Sequence, residues 1–268
     1  MNLTQKYIQK HSEEAMLHLK QFVANADEEA MHQFRVNMKK LRAVFRVMHK
    51  IMPNKSFEKK YKKRFKLLFA DGGQIRQLQL ITSELKKNKL EALLQQSSSL
   101  KKLPQLELFF RDNSKKYKRF LSSYKKDLSR LAMHFNESKL SNYTSALKQT
   151  ILQIKTNIVS DEWHHLRKQI KQLLYSSNLL QPASRLKVIT VSEVKKFDAL
   201  QETIGAWHDL EDYKTWLMNE GFFMSEDVLV KKDFNKTWHK LNKQIADAEK
   251  KVQSSLRQMP KRKTVAKN

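Results

Sequence analysis

Glycine and proline are nearly missing from this sequence, with four of each in 268 residues. A sheet needs glycine, proline and short polar residues at its turns and bulges, and a chain with so few has almost nowhere to make them. Good helix formers, Lys, Leu, Gln and Glu, fill the intervals instead. The expected class is all-α, at a length that suits one large domain or two small ones.

The breaks mark the helices. A first helix spans about residues 3–23, and Asp27, followed by Glu28 and Glu29, is an N-cap with a favourable first turn. The next reaches residue 51 and is stopped by Pro53. Another covers residues 57–69 and ends at the breaker pair Gly72-Gly73, with a further helix resuming through Leu78, Ile81 and Leu85. Residues 95–99 read as a loop, Pro104 opens one long basic helix to about Met133, and residues 260–268 read as a flexible basic tail.

Charge narrows the function. Lys and Arg number 53 against 27 Asp and Glu, a formal net charge of +26. Such an excess strains the compact state by self-repulsion and draws polyanions; solubility alone is better served by mixed or acidic surfaces. The absence of cysteine removes disulfides and thiolate metal sites. No run approaches the ~18 apolar residues of a membrane span, and the N-terminal segment lacks the apolar core of a signal peptide. A cytoplasmic protein, off the membrane, is expected.

An internal repeat organises the chain. At an offset of 132 residues His32 falls on His164, Arg35 on Arg167, Lys39 on Lys171 and Leu41 on Leu173. The register continues without a gap through Phe65 and Phe197, Gly73 and Gly205, and Leu85 and Leu217, with Arg76 falling on His208. Tandem duplication follows, with halves at residues 1–134 and 135–259. Each half has about four helices, so two four-helix bundles related by pseudo-twofold symmetry are expected.

The repeated positions form a stripe. With about 100° per residue, His32, Arg35, Lys39, Arg42 and Arg46 share an arc of about 80°. Phe34, Met38, Leu41, Phe45 and Met48 occupy the neighbouring arc, so one face is buried beside a row of cations about 5–6 Å apart. A solvated helix face normally interleaves Glu with Lys, and this one does not. The second copy is thinner: His164, Arg167, Lys168 and Lys171 keep the face, but Leu174 and Asn178 stand where the first copy has Arg42 and Arg46.

Other chemistry is weakly signalled. A histidine beside an apolar face is commonly a hydrogen-bonded structural residue, and the recurrence of His32 and His164 with their arginines sets a ligand role against that reading. The adjacent His164 and His165 point about 100° apart and cannot chelate one ion together. There is no phosphate loop, catalytic carboxylate pair or nucleophile triad, so no metal, cofactor or catalytic residue is assigned. Asp209, Glu211 and Asp212, near Gly205, suit a helix start as well as catalysis.

The segments His32-x-x-Arg35-Val36-x-x-Lys39-x-Leu41-Arg42 and His164-x-Leu166-Arg167-Lys168-x-x-Lys171-x-Leu173 resemble the paired signatures of the CHAD family, the conserved histidine α-helical domain. Gly205-x-x-His208-Asp209-Leu210 resembles that family's glycine and aspartate turn. The resemblance covers nearly the whole chain. It implies two four-helix bundles around a basic groove or pore, and binding of inorganic polyphosphate without hydrolysis. On that basis the binding residues are His32, Arg35, Lys39, Arg42, Arg46, Arg76, His164, Arg167, Lys168, Lys171 and His208, and association with polyphosphate granules is expected. The competing reading is a basic helical nucleic-acid binder, for which Lys115-Lys116, Lys118-Arg119 and Lys125-Lys126 would suit a duplex backbone.

Overall fold

A computed structural model describes residues 2–154 and 158–259, and the tail expected at 260–268 lies outside them. Among the described residues every regular element is helical. The first six α-helices are α1 (Leu3–Asn25), α2 (Glu28–Ile51), α3 (Lys55–Lys87), α4 (Glu91–Gln96), α5 (Leu103–Asp112) and α6 (Ser114–Met133). They are followed by α7 (Glu137–Leu152), α8 (Ser160–Ser177), α9 (Pro182–Val188), α10 (Val191–Asn219) and α11 (Val228–Arg257). The described residues form two compact units, one of residues up to Phe135 with Met218–Asn235, the other of Asn136–Leu217 with the described residues from Lys236.

In the first unit the caps set the boundaries. Asn2 and Gln5 make a reciprocal capping box on α1, each bond 2.9 Å long. Asp27 accepts from the Ala30 amide at 2.9 Å and starts α2, which ends at Ile51 before Pro53. Two expectations fail here. Gly72 and Gly73 do not break the chain, because α3 runs unbroken through both for 33 residues. Nor is the basic segment one helix: it divides at Asn113 into α5 and α6.

The core of this unit is apolar and aromatic. Helix α1 packs on α2 and α6, and Ile8, Leu19 and Phe22 of α1 and Phe34, Met38 and Leu41 of α2 are buried. Each such side chain contributes about 1.5–3 kcal/mol of transfer free energy. Between α3 and α6 lies a ring cluster in which Tyr61, Phe65, Phe120 and Tyr124 meet at centroid separations from 5.1 to 5.9 Å. The Tyr61 hydroxyl bonds Ser123 and Asp127, which keeps the one polar atom of that ring satisfied.

The second unit is built on α7, α8, α9 and α10 with most of α11. Leu166, Ile170 and Leu173 of α8 and Phe197, Leu200 and Ile204 of α10 are buried. Thr190 and Glu193 cap α10 reciprocally, and Lys148 of α7 holds the same glutamate at 2.7 Å. Helix α10 is continuous from Val191 to Asn219, so Asp209, Glu211 and Asp212 lie mid-helix and not at a helix start.

Candidate functional site

On α2 the apolar arc is buried and the stripe is lifted beside it. Phe34, Met38, Leu41 and Met48 are at most 1% exposed, whereas Lys39 and Arg46 are exposed and His32, Arg35 and Arg42 half-buried. The row is therefore not uniform. Its two half-buried arginines are seated on α3, and its exposed members face outward.

Arg35 makes the firmest seat. Its Nη1 donates to the carbonyl oxygen of Phe69 at 2.9 Å, and its guanidinium carbon lies 5.5 Å from the Phe69 ring centre. A side chain at Gly73 would meet that nitrogen at 3.1 Å, so the guanidinium tip lies close against the helix at this glycine. Arg42 also lies over Phe69 and Phe65, 5.4 and 5.9 Å from their centres. Burial, and then the neighbouring charge of Arg76 or Arg46, lowers the proton affinity of Arg35 and Arg42 respectively.

His32 stands at the N-terminal end of the row. Burial and then Arg76 lower its pKa, with Lys39 and Arg35 adding to the effect. Arg76 reaches the start of α2, bonding the Glu28 carbonyl at 3.4 Å and pairing with the Glu28 carboxylate at 3.9 Å. Its Nε is buried and has no hydrogen-bond partner among the described residues. An orphaned buried donor of this kind costs about 1–3 kcal/mol unless a ligand or water takes it up.

The second unit repeats the device at the same offset. Arg167 of α8 donates from Nε to the carbonyl oxygen of Gln201 at 3.1 Å, and a side chain at Gly205 would meet its guanidinium at 2.6 Å. Arg35 and Arg167, Phe69 and Gln201, and Gly73 and Gly205 are each 132 residues apart. In both units an arginine of the earlier helix lies on a carbonyl one turn before a glycine of the next long helix.

The partner of the first histidine differs. Where His32 faces Arg76, His164 stacks on His208, with centroids 4.7 Å and planes 25° apart. His164 Nδ1 is buried without a partner among the described residues. Burial, then Lys168, His208 and Arg167, holds His164 below the usual value. A 3.2 Å contact to Asp212 lifts His208 above it, against burial. His208, Asp209 and Asp212 are the one group among the described residues whose ligand atoms lie close enough, within 4.8 Å, to share a metal ion. Both carboxylates are exposed, and one already holds the histidine.

Two groups escaped the sequence reading. Phe65 and Phe69, the floor beneath the arginines, look like ordinary core residues until α3 is laid against α2. Lys62 and Lys66 are exposed, seven and three residues before Phe69, so helical spacing puts them on the side of α3 that carries the arginine seats. Their spacing was available in the period of the helix, but only the packing of α3 on α2 marks them as neighbours of the stripe. Lys168 is exposed, and Lys171 is half-buried further along α8.

These features define an all-helical protein that displays cations on helix pairs, with arginines seated on glycine-bearing helices. The profile of the CHAD domain family matches residues 6–217. The chain belongs to the CHAD domain family. A solved relative, the crystal structure of the CHAD domain from the plant Ricinus communis, shares the fold with a TM-score of 0.68 at 14% identity, covering 96% of this chain and 91% of that one. No curated protein matches the chain. Among the described residues no helix is long and apolar enough to cross a membrane.

Proposed function

We propose that this protein binds inorganic polyphosphate without hydrolysing it. The observation that carries the reading is the α2–α3 face of the first unit. There Arg35 and Arg42 are fixed over Phe69 while Lys39, Arg46, Lys62 and Lys66 are exposed around them. Fixed guanidinium forks give bidentate phosphate contacts, and the lysines add mobile point charge. The second unit contributes His164, Arg167, Lys168 and His208, with fewer permanent charges. Family membership supports the choice of polyphosphate, and a cytoplasmic place beside polyphosphate granules goes with it.

Retention on immobilised polyphosphate, challenged with free polyphosphate or with DNA of equal charge, tests the reading. Polyphosphate should release the protein at a far lower concentration than DNA. Release by DNA at an equal or lower concentration would favour a nucleic-acid binder, for which exposed Lys115, Lys116 and Arg119 of α6 supply the backbone contacts.

A further inference from the structure

The second unit holds a cleft that its repeat partner does not explain. It measures about 260 Å³ and lies beyond the arginine seat, between α8 and α10, with α9 contributing Arg185. That is below the ~300–1,000 Å³ of pockets for drug-sized molecules, and suits a ligand of few heavy atoms.

Its lining departs from the first unit position by position. At the offset of 132, Arg42 and Arg46 become Leu174 and Asn178, and Lys62 and Lys66 become Val194 and Asp198. Four cations give way to two apolar walls, an amide and a carboxylate. Lys171, the counterpart of Lys39, is kept in the lining, so a polyanion would find it and Arg185 in place of a row of cations, and would meet the carboxylate of Asp198. The cleft thus suits a long polyanion less well than the first unit does.

What remains is charge of both signs, Lys171 and Arg185 with Asp198, lining one small cleft. Arg185 makes no ion pair or side-chain hydrogen bond among the described residues. The Tyr175 phenol is kept protonated by burial and is a neutral donor. Asp198 is held in place by the Gln201 amide, which donates to its Oδ1 at 2.9 Å.

We propose that this cleft binds a compact aminoalkyl phosphate, with Arg185 and Tyr175 on the phosphate oxygens and Asp198 on the ammonium group. Leu174 and Val194 flank the short alkyl link. The proposal does not depend on polyphosphate binding by the first unit.

Calorimetric titration with phosphoethanolamine and with ethyl phosphate, which differ in the ammonium group alone, tests it. Phosphoethanolamine should bind at least about tenfold more tightly, an advantage of the size expected for one charge-assisted bond. Arg185→Ala should weaken both ligands about tenfold or more. Asp198→Asn, at an exposed position that the fold tolerates, should erase the preference while ethyl phosphate still binds. Polyphosphate affinity should be nearly unchanged in both variants. Equal binding of the two phosphates, no binding at millimolar concentration, or an unaffected Arg185→Ala variant would overturn the proposal. So would loss of polyphosphate binding in Arg185→Ala with phosphoethanolamine binding intact, since that would place Arg185 in the polyanion site.

Discussion

Arg35 reaches from α2 to place its Nη1 2.9 Å from the carbonyl oxygen of Phe69 on α3. The same guanidinium that offers charge to a ligand therefore ties two helices together, while Arg46, about three turns along the stripe, is exposed. Members of one stripe carry different duties, and substitutions should separate them.

Arg35→Ala should lower stability by about 1.5 kcal/mol, the low end for a hydrogen bond from a charged group. In a chain of this size that lowers the thermal midpoint by roughly 3–6 °C. Arg46→Ala should stay within about 0.5 kcal/mol of wild type, as surface changes do, and should weaken polyphosphate retention. Thermal melts by circular dichroism, read beside retention, check both halves.

Glycine substitution should divide the two units. An alanine gains about 1 kcal/mol of helix propensity over glycine. At Gly73 the new methyl meets only the tip of Arg35 at 3.1 Å, and a small shift of that tip preserves most of the gain. At Gly205 it meets three guanidinium atoms of Arg167 at 2.6–3.1 Å, so the group must leave its seat and its bond to Gln201. Gly73→Ala should be neutral or stabilising, whereas Gly205→Ala should be destabilising, both read from denaturant midpoints.

The stacked histidines give opposite pH responses. His208, raised by Asp212, adds stability that is complete below the unfolded value of about 6.5 and is lost as pH rises through its folded pKa. His164, lowered by burial and by Lys168, adds stability that is complete above about 6.5 and is lost as pH falls through its folded pKa. The two contributions coincide near pH 6.5. Asp212→Asn should bring the His208 titration down while leaving that of His164 low, as followed by histidine ring resonances. A His208 titration unmoved by the substitution would show that Asp212 does not hold the ring.

Much of the fold was legible because the decisive signals are local. Asp27 caps α2 through its own side chain, and Pro53 ends that helix by lacking an amide hydrogen, so both act within one turn. The buried arc of Phe34, Met38 and Leu41 likewise follows from periodicity alone. Gly72-Gly73 misled because glycine can break a helix or admit a neighbour. Here Arg35 and Met31 of α2 crowd that side of α3, a tertiary fact that no local pattern contains. The position of Asn113, which divides α5 from α6, was obscured by the uniformly basic composition around it. For the site, the stripe itself was readable, but its floor of Phe65 and Phe69 was not. Nor was the division between seated and exposed cations, since both depend on how α3 lies against α2.

The most direct test of polyanion binding is the salt dependence of polyphosphate affinity, measured for wild type and for the Lys39→Ala, Arg46→Ala, Lys62→Ala, Lys66→Ala quadruple variant. All four residues are exposed, so helicity and thermal midpoint should hold. Each phosphate contact on a flexible single strand contributes a slope of about −0.7 in log K against log salt. The variant should therefore bind much more weakly at low salt, with a slope shallower by about three. Unchanged affinity and slope in a folded variant would contradict polyphosphate binding on the α2–α3 face.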